Sequence, residues 1–255
     1  MTTTAPPRSF TLTLALIVAL GSFAIDMYLA SLPAIVDEFG ASPSLIQWTL
    51  TGYLLVLGAG QLIAGPVTDT VGRRRPLLVG LMLFTAGSLM AAVAPTAWAL
   101  VIARVLQATG GAVAVVVANS SVRDRAQGET ATRLYALLLM ISAVAPVMAP
   151  SVGGVIEEFF GWRSVFIALT GVGIMAIIAT VRLLPESLPA AGRVSLRFGY
   201  VLRGYTTTLA ADHLRGPWPR SRQSACSGSP TSVGQPTFTR AHTDWVRPSS
   251  GCSSG

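Results

Sequence analysis

Long apolar runs separated by short charged connections dominate the chain up to about residue 190. A bilayer core about 30 Å thick is crossed by roughly 20 residues of helix. Six runs reach that length: Phe10–Ile35, Leu45–Pro66, Pro76–Pro95, Ala97–Asn119, Leu134–Ile156 and Ser164–Val181. Spans two, three, five and six hold no charged residue, span one holds only Asp26 and span four only Arg104. In lipid a backbone must satisfy its own hydrogen bonds, which makes helices of such runs. The pattern therefore predicts an all-α integral membrane protein with six transmembrane helices over residues 1–192. A cleaved signal peptide does not fit the first run, which is too long and continues through Asp26 to Pro33.

The charge pattern orients the spans. Arg8 precedes span one; Arg73, Arg74 and Arg75 lie between spans two and three; Arg123, Arg125 and Arg133 lie between four and five; Arg182 follows six. The opposite connections carry Asp37, Glu38, Glu157 and Glu158 against Arg163 alone. By the positive-inside rule the N-terminus is cytoplasmic. Small residues recur four apart, as at Gly60 and Ala64 or at Ala145, Ala149 and Gly153, a spacing that lets helix backbones approach.

Composition adds a boundary. Only 11% of the residues are charged, where a soluble domain has about 25%. Of the net charge of +7, six come from residues 193–255, with eight Arg against two acids, so it does not argue for nucleic-acid binding by the body. In that stretch 29 of 63 residues are Ser, Thr, Pro or Gly, a composition expected to form a disordered tail or to derive from a frameshift. Both Cys and both His lie there too, so neither a metal site nor a cofactor is expected in the body. The lack of any His before His213 also removes an intramembrane serine protease, which needs a His base.

Motifs sharpen the class. Gly65-Pro-Val-Thr-Asp69-Thr-Val-Gly72-Arg73-Arg74-Arg75 joins spans two and three; Gly72 suits a tight loop, and Asp69 can accept from Arg73. This order resembles the signature loop of the major facilitator superfamily. Arg104-Val-Leu-Gln107-Ala-Thr-Gly110-Gly111 resembles its span-four motif, with Ala108 where Gly is usual. Ala145-Pro146-Val-Met-Ala149-Pro150-Ser-Val-Gly153-Gly154 resembles its antiporter motif, and Trp162-Arg163-x-x-Phe166 then opens span six. Ala24-Ile25-Asp26-Met27-Tyr28-Leu29-Ala30-Ser31-Leu32-Pro33 is similar to the first span of the bicyclomycin-resistance (Bcr/CflA-type) multidrug efflux transporters. Asn119-x-x-x-Arg123-Asp124 and Pro185-Glu186-Ser187-Leu188 agree with that group. The resemblance covers residues 10 to about 190 and implies one six-helix half of a two-half transporter. It further implies a bacterial inner membrane, proton antiport, and small amphipathic or cationic drug-like substrates.

Two intramembrane charges are the candidate coupling site, because an ionisable group in lipid is costly. At ~1.5 Å per residue Asp26 lies roughly 22 Å from the inner edge and Arg104 about 9 Å from the outer edge. Both fall at one depth, which places them for pairing, with Gln107 one turn from Arg104. Gln61 and Asn119 read as helix–helix glue. Two readings stay open: a proton-coupled drug exporter, truncated after its first half, or an inactive fragment or non-transporting membrane protein.

Overall fold

The computed structural model describes residues 7–184. The sequence-predicted boundary at 192/193 and the polar tail lie outside them. Seven helices run in order: α1 (Arg8–Ala30), α2 (Leu32–Phe39), α3 (Pro43–Val71), α4 (Arg74–Ala92), α5 (Ala97–Arg125), α6 (Gly128–Phe160) and α7 (Trp162–Leu183). All but α2 are long and apolar enough to cross a membrane. The six predicted spans are thus present.

The first predicted span is shorter than Phe10–Ile35. It breaks at Ser31, and Leu32-Pro33 starts the separate α2. Pro33 has no N–H to give and its ring clashes with the carbonyl four residues back, so α1 cannot continue through it. Gly40, at φ +54°, closes α2 in the left-handed region that favours glycine. Caps punctuate the other ends. Ser42 accepts from the Leu45 N–H at 3.4 Å at the start of α3, and Thr96 accepts from Ala99 N–H at 3.2 Å at the start of α5. Gly161, at φ +78°, turns α6 into α7.

Lipid tails are as apolar as leucine, so helix association rests on close packing of small residues. α5 is central and packs on α4 and α3, while α1 packs on α6 and α7, and α7 on α4. At the α4–α5 crossing a methyl group at Gly110 would stand 2.3 Å from the Gly80 carbonyl oxygen and 2.4 Å from the Phe84 nitrogen. At Gly87 it would stand 2.5 Å from the Gln107 nitrogen. These two glycines bring α4 and α5 into backbone contact, which fixes how Arg104 and Gln107 are presented to the rest of the bundle.

Candidate functional site

Arg104 is fully buried, with no exposed surface. Its guanidinium carbon lies 4.4 Å from the Tyr28 ring centroid and 4.1 Å from that of Tyr53, with Phe166 at 5.9 Å. Its Nη1 donates to the Ala24 carbonyl at 3.0 Å and to Gln107 Oε1 at 2.5 Å. Gln107 Nε2 donates to Ser88 Oγ at 2.7 Å, and Ser88 Oγ donates to the Phe84 carbonyl at 2.8 Å. The network ties α1, α4 and α5 together around one cation. Tyr28, from the same cage, is hydrogen-bonded to Thr49 on α3. Arg104 Nε and Nη2 and the Tyr53 hydroxyl are buried without a hydrogen-bond partner. A cation so enclosed is held by ring faces and carbonyl oxygens, with no carboxylate in contact.

The expected Asp26–Arg104 pair does not form. Among the described residues Arg104 has no ion pair, and Asp26 has neither ion pair nor hydrogen bond. The two residues do share a level in the bundle, since Arg104 bonds the Ala24 carbonyl only two residues before Asp26. The azimuth is what differs. Tyr28, the α1 side chain stacked on Arg104, sits two residues past Asp26, about 200° around the helix. Asp26 therefore points away from the cage and is half-buried on the other side of α1. Between the two faces, Val18, Gly21, Ser22 and Ile25 of α1 line a cavity of about 400 Å³ with Leu57, Asn119, Tyr135 and Ser142, about a quarter turn around α1 from Asp26, which is not itself in the lining. Gln107, by contrast, extends the Arg104 network as its spacing suggested.

The signature loop forms a second cluster. Gly72 caps α3 at φ +102°, a value that glycine alone adopts without strain. This turn folds Arg73 back under the helix ends, where it is 2% exposed. Its Nη1 lies 2.6 Å from Asp69 Oδ1 and 2.9 Å from Thr68 Oγ1, and its Nε donates to Asp124 Oδ2 at 2.9 Å. Burial alone pulls the guanidinium's pKa down, but the hydrogen bonds and charges of Asp124 and Asp69 leave it above its ordinary value. Arg74 Nη2 donates to the Val181 carbonyl at 2.5 Å, closing the last turn of α7. Gly65 has open space around it.

The double-proline helix packs on the span that carries Asp26. A methyl at Gly153 would stand 2.7 Å from the Met27 carbonyl oxygen, so α6 meets the α1 backbone beside Asp26. Pro146 and Pro150 lie within the continuous α6. Pro146 is exposed, Pro150 is half-buried, and Gly154 has open space around it.

Three participants escaped the sequence reading. Tyr28 stood only as one member of the Ala24–Pro33 motif with no role given to it, and Tyr53 gave no signal beyond being a tyrosine inside an apolar run. Asp124 stood only in the Asn119-x-x-x-Arg123-Asp124 motif, with no partner assigned.

Six apolar helices around a buried guanidinium, with an arginine-locked turn at one face, define a polytopic membrane protein of the transporter class. The chain belongs to the Major Facilitator Superfamily, whose family model matches residues 14–240. It is 39% identical over 188 residues to the MFS-type transporter YdgK of Bacillus subtilis, covering 73% of this chain and 47% of that protein. It is 29% identical over 196 residues to a bicyclomycin resistance protein homolog of Haemophilus influenzae, covering 77% and 49% respectively. In fold it is similar to the human organic anion transporter MFSD10 (TETRAN), with TM-score 0.61 at 19% identity, over 77% of this chain and 53% of that one. The chain spans about half the length of the curated relatives it matches.

Proposed function

We propose that the chain serves drug efflux by proton antiport in a bacterial inner membrane, with its N-terminus cytoplasmic. Asp26 carries the reading. It is the sole carboxylate within the six apolar runs, it has no ionic or hydrogen-bonded partner among the described residues, and its α1 neighbours Ser22 and Ile25 line an apolar cavity. A carboxylate so placed can hold either a proton or a cationic ligand, and exchange of one for the other is the elementary step of antiport. Small amphipathic or cationic molecules suit a cavity lined mainly by aliphatic side chains, with Ser22, Asn119, Tyr135 and Ser142 as its polar points. Arg104 and Gln107 act from behind α1, holding the backbone at Ala24 while adding positive potential near the carboxylate. The likeness to a bicyclomycin resistance protein homolog supports the drug class. The Arg73–Asp69–Asp124 lock at the cytoplasmic face braces the helix ends while the cavity changes access.

The test uses the chain reconstituted in proteoliposomes with an imposed pH gradient. Movement of the cationic dye ethidium is followed together with internal pH. Gradient-driven dye movement is expected, and Asp26→Asn is expected to abolish it while dye binding persists. Coupled movement retained by Asp26→Asn would remove Asp26 from the role.

A further inference from the structure

The Trp162-Arg163-x-x-Phe166 segment has no part in the proposed exchange at Asp26, yet it is tied to the Arg104 cage. Glu38 on α2 receives two donors from the start of α7: Trp162 Nε1 at 2.6 Å and Arg163 Nη1 at 2.5 Å. Arg163 Nη2 also reaches the Ala94 carbonyl between α4 and α5 at 3.3 Å. Its guanidinium lies over the Trp162 ring at 4.2 Å. These groups follow one, three and five crossings, so all sit at the membrane face opposite the N-terminus. From there the rings run inward in contact. Phe39 meets Trp162 at 5.7 Å, Trp162 meets Phe166 at 6.1 Å and Phe166 meets Tyr28 at 5.8 Å. Tyr28 and Phe166 are two of the rings around Arg104.

We propose that Glu38, Trp162 and Arg163 form a clasp that positions the Arg104 cage, acting through Phe166 and Tyr28. The clasp pins the C-terminal end of α2 to α7, and α7 supplies the ring that backs Tyr28. With the clasp closed, Tyr28 is pressed toward Thr49, and Arg104 is shut from water on that side. With the clasp open, α7 loses its tether to α2, Phe166 withdraws, and Tyr28 is free to swing from Thr49. The donors from Arg163 and Trp162 also hold the Glu38 carboxyl below its ordinary pKa. Glu38, Trp162 and Arg163 are positioning residues: none of them touches Arg104.

The experiment reads access to the cage and needs no transport, so its failure and the failure of the proposed export are separable. The full chain with Cys226→Ser and Cys252→Ser is placed in nanodiscs, where a soluble maleimide reaches both faces. Thr49→Cys then puts a thiol at the fully buried partner of Tyr28. Ser142→Cys, on α6 and lining the cavity beside α1, serves as the reference site. Adding Glu38→Ala is expected to raise the alkylation rate of the T49C variant at least about tenfold, a shift of about 1.4 kcal/mol in the opening equilibrium, with no change for S142C. Glu38→Gln, which keeps an acceptor for the Trp162 N–H, is expected to raise it less. An unchanged rate for T49C overturns the clasp. An equal rise for both variants overturns it too, since that reports general loosening of the bundle.

Discussion

Replacing Arg104 tests whether the cage serves stability or function. Arg104→Met removes a buried cation while keeping an unbranched chain. The main losses are the two closer ring contacts, with Tyr28 and Tyr53, at about 2 kcal/mol each for a desolvated cation. The hydrogen bonds from Nη1 to Ala24 and Gln107 add about 3 kcal/mol together, giving roughly 7 in all. The gains are relief of two unpartnered N–H donors, at about 2 kcal/mol each. Recovery of the cation's desolvation, which has no carboxylate to offset it, adds about 4 kcal/mol. The two sides cancel to within about 1 kcal/mol, so Arg104→Met is expected to leave stability nearly unchanged. Arg104→Lys keeps the desolvation cost but cannot present a planar group to two rings, and is expected to lose about 2–3 kcal/mol. The assay is unfolding in mixed micelles with increasing sodium dodecyl sulfate, followed by helix circular dichroism. Stability in the order Met near Arg, with Lys clearly below, is the expected outcome. A loss of more than about 3 kcal/mol for Met, with Lys tolerated, would refute the accounting and make the cage a structural device.

Two further substitutions probe the packing and the loop. Gly110→Ala places a methyl group against the Gly80 and Phe84 backbones, and an overpacked site of this kind costs about 1–3 kcal/mol in the same unfolding assay. Gly171→Ala on α7 meets nothing within 4 Å and is expected to gain about 0.5–1 kcal/mol from helix propensity, so the two should shift the transition in opposite directions. Asp124→Ala leaves the buried Arg73 with Asp69 as its remaining carboxylate and is expected to cost about 3 kcal/mol. Asp124→Asn, which still accepts from Arg73 Nε, should cost less than half as much; equal losses would show that charge, not the hydrogen bond, holds the turn.

The number, type and approximate ends of the membrane spans were legible in residue order alone. Lipid leaves one option for an apolar run of spanning length, and no neighbour has to be known to read it. The turn at Gly72 and the Asp69–Arg73 pair were legible as well, because both are local: four residues and one helix turn separate the partners. Even the shared level of Asp26 and Arg104 followed, since height along the bundle increases linearly with residue number along a helix. Direction around the helix did not follow. Asp26 and Arg104 share a level yet lie on opposite sides of α1, and only the packing of Tyr28 against α5 decides that. The same limit hid Asp124, which reaches Arg73 across 51 residues, and Glu38, which meets Trp162 across 124. An apolar pattern states that a face is buried or lipid-facing; it does not state against which helix. Backbone contact at Gly87, Gly110 and Gly153 makes that choice. It thereby sets one intramembrane charge in an aromatic cage and leaves the other half-buried on the far side of α1.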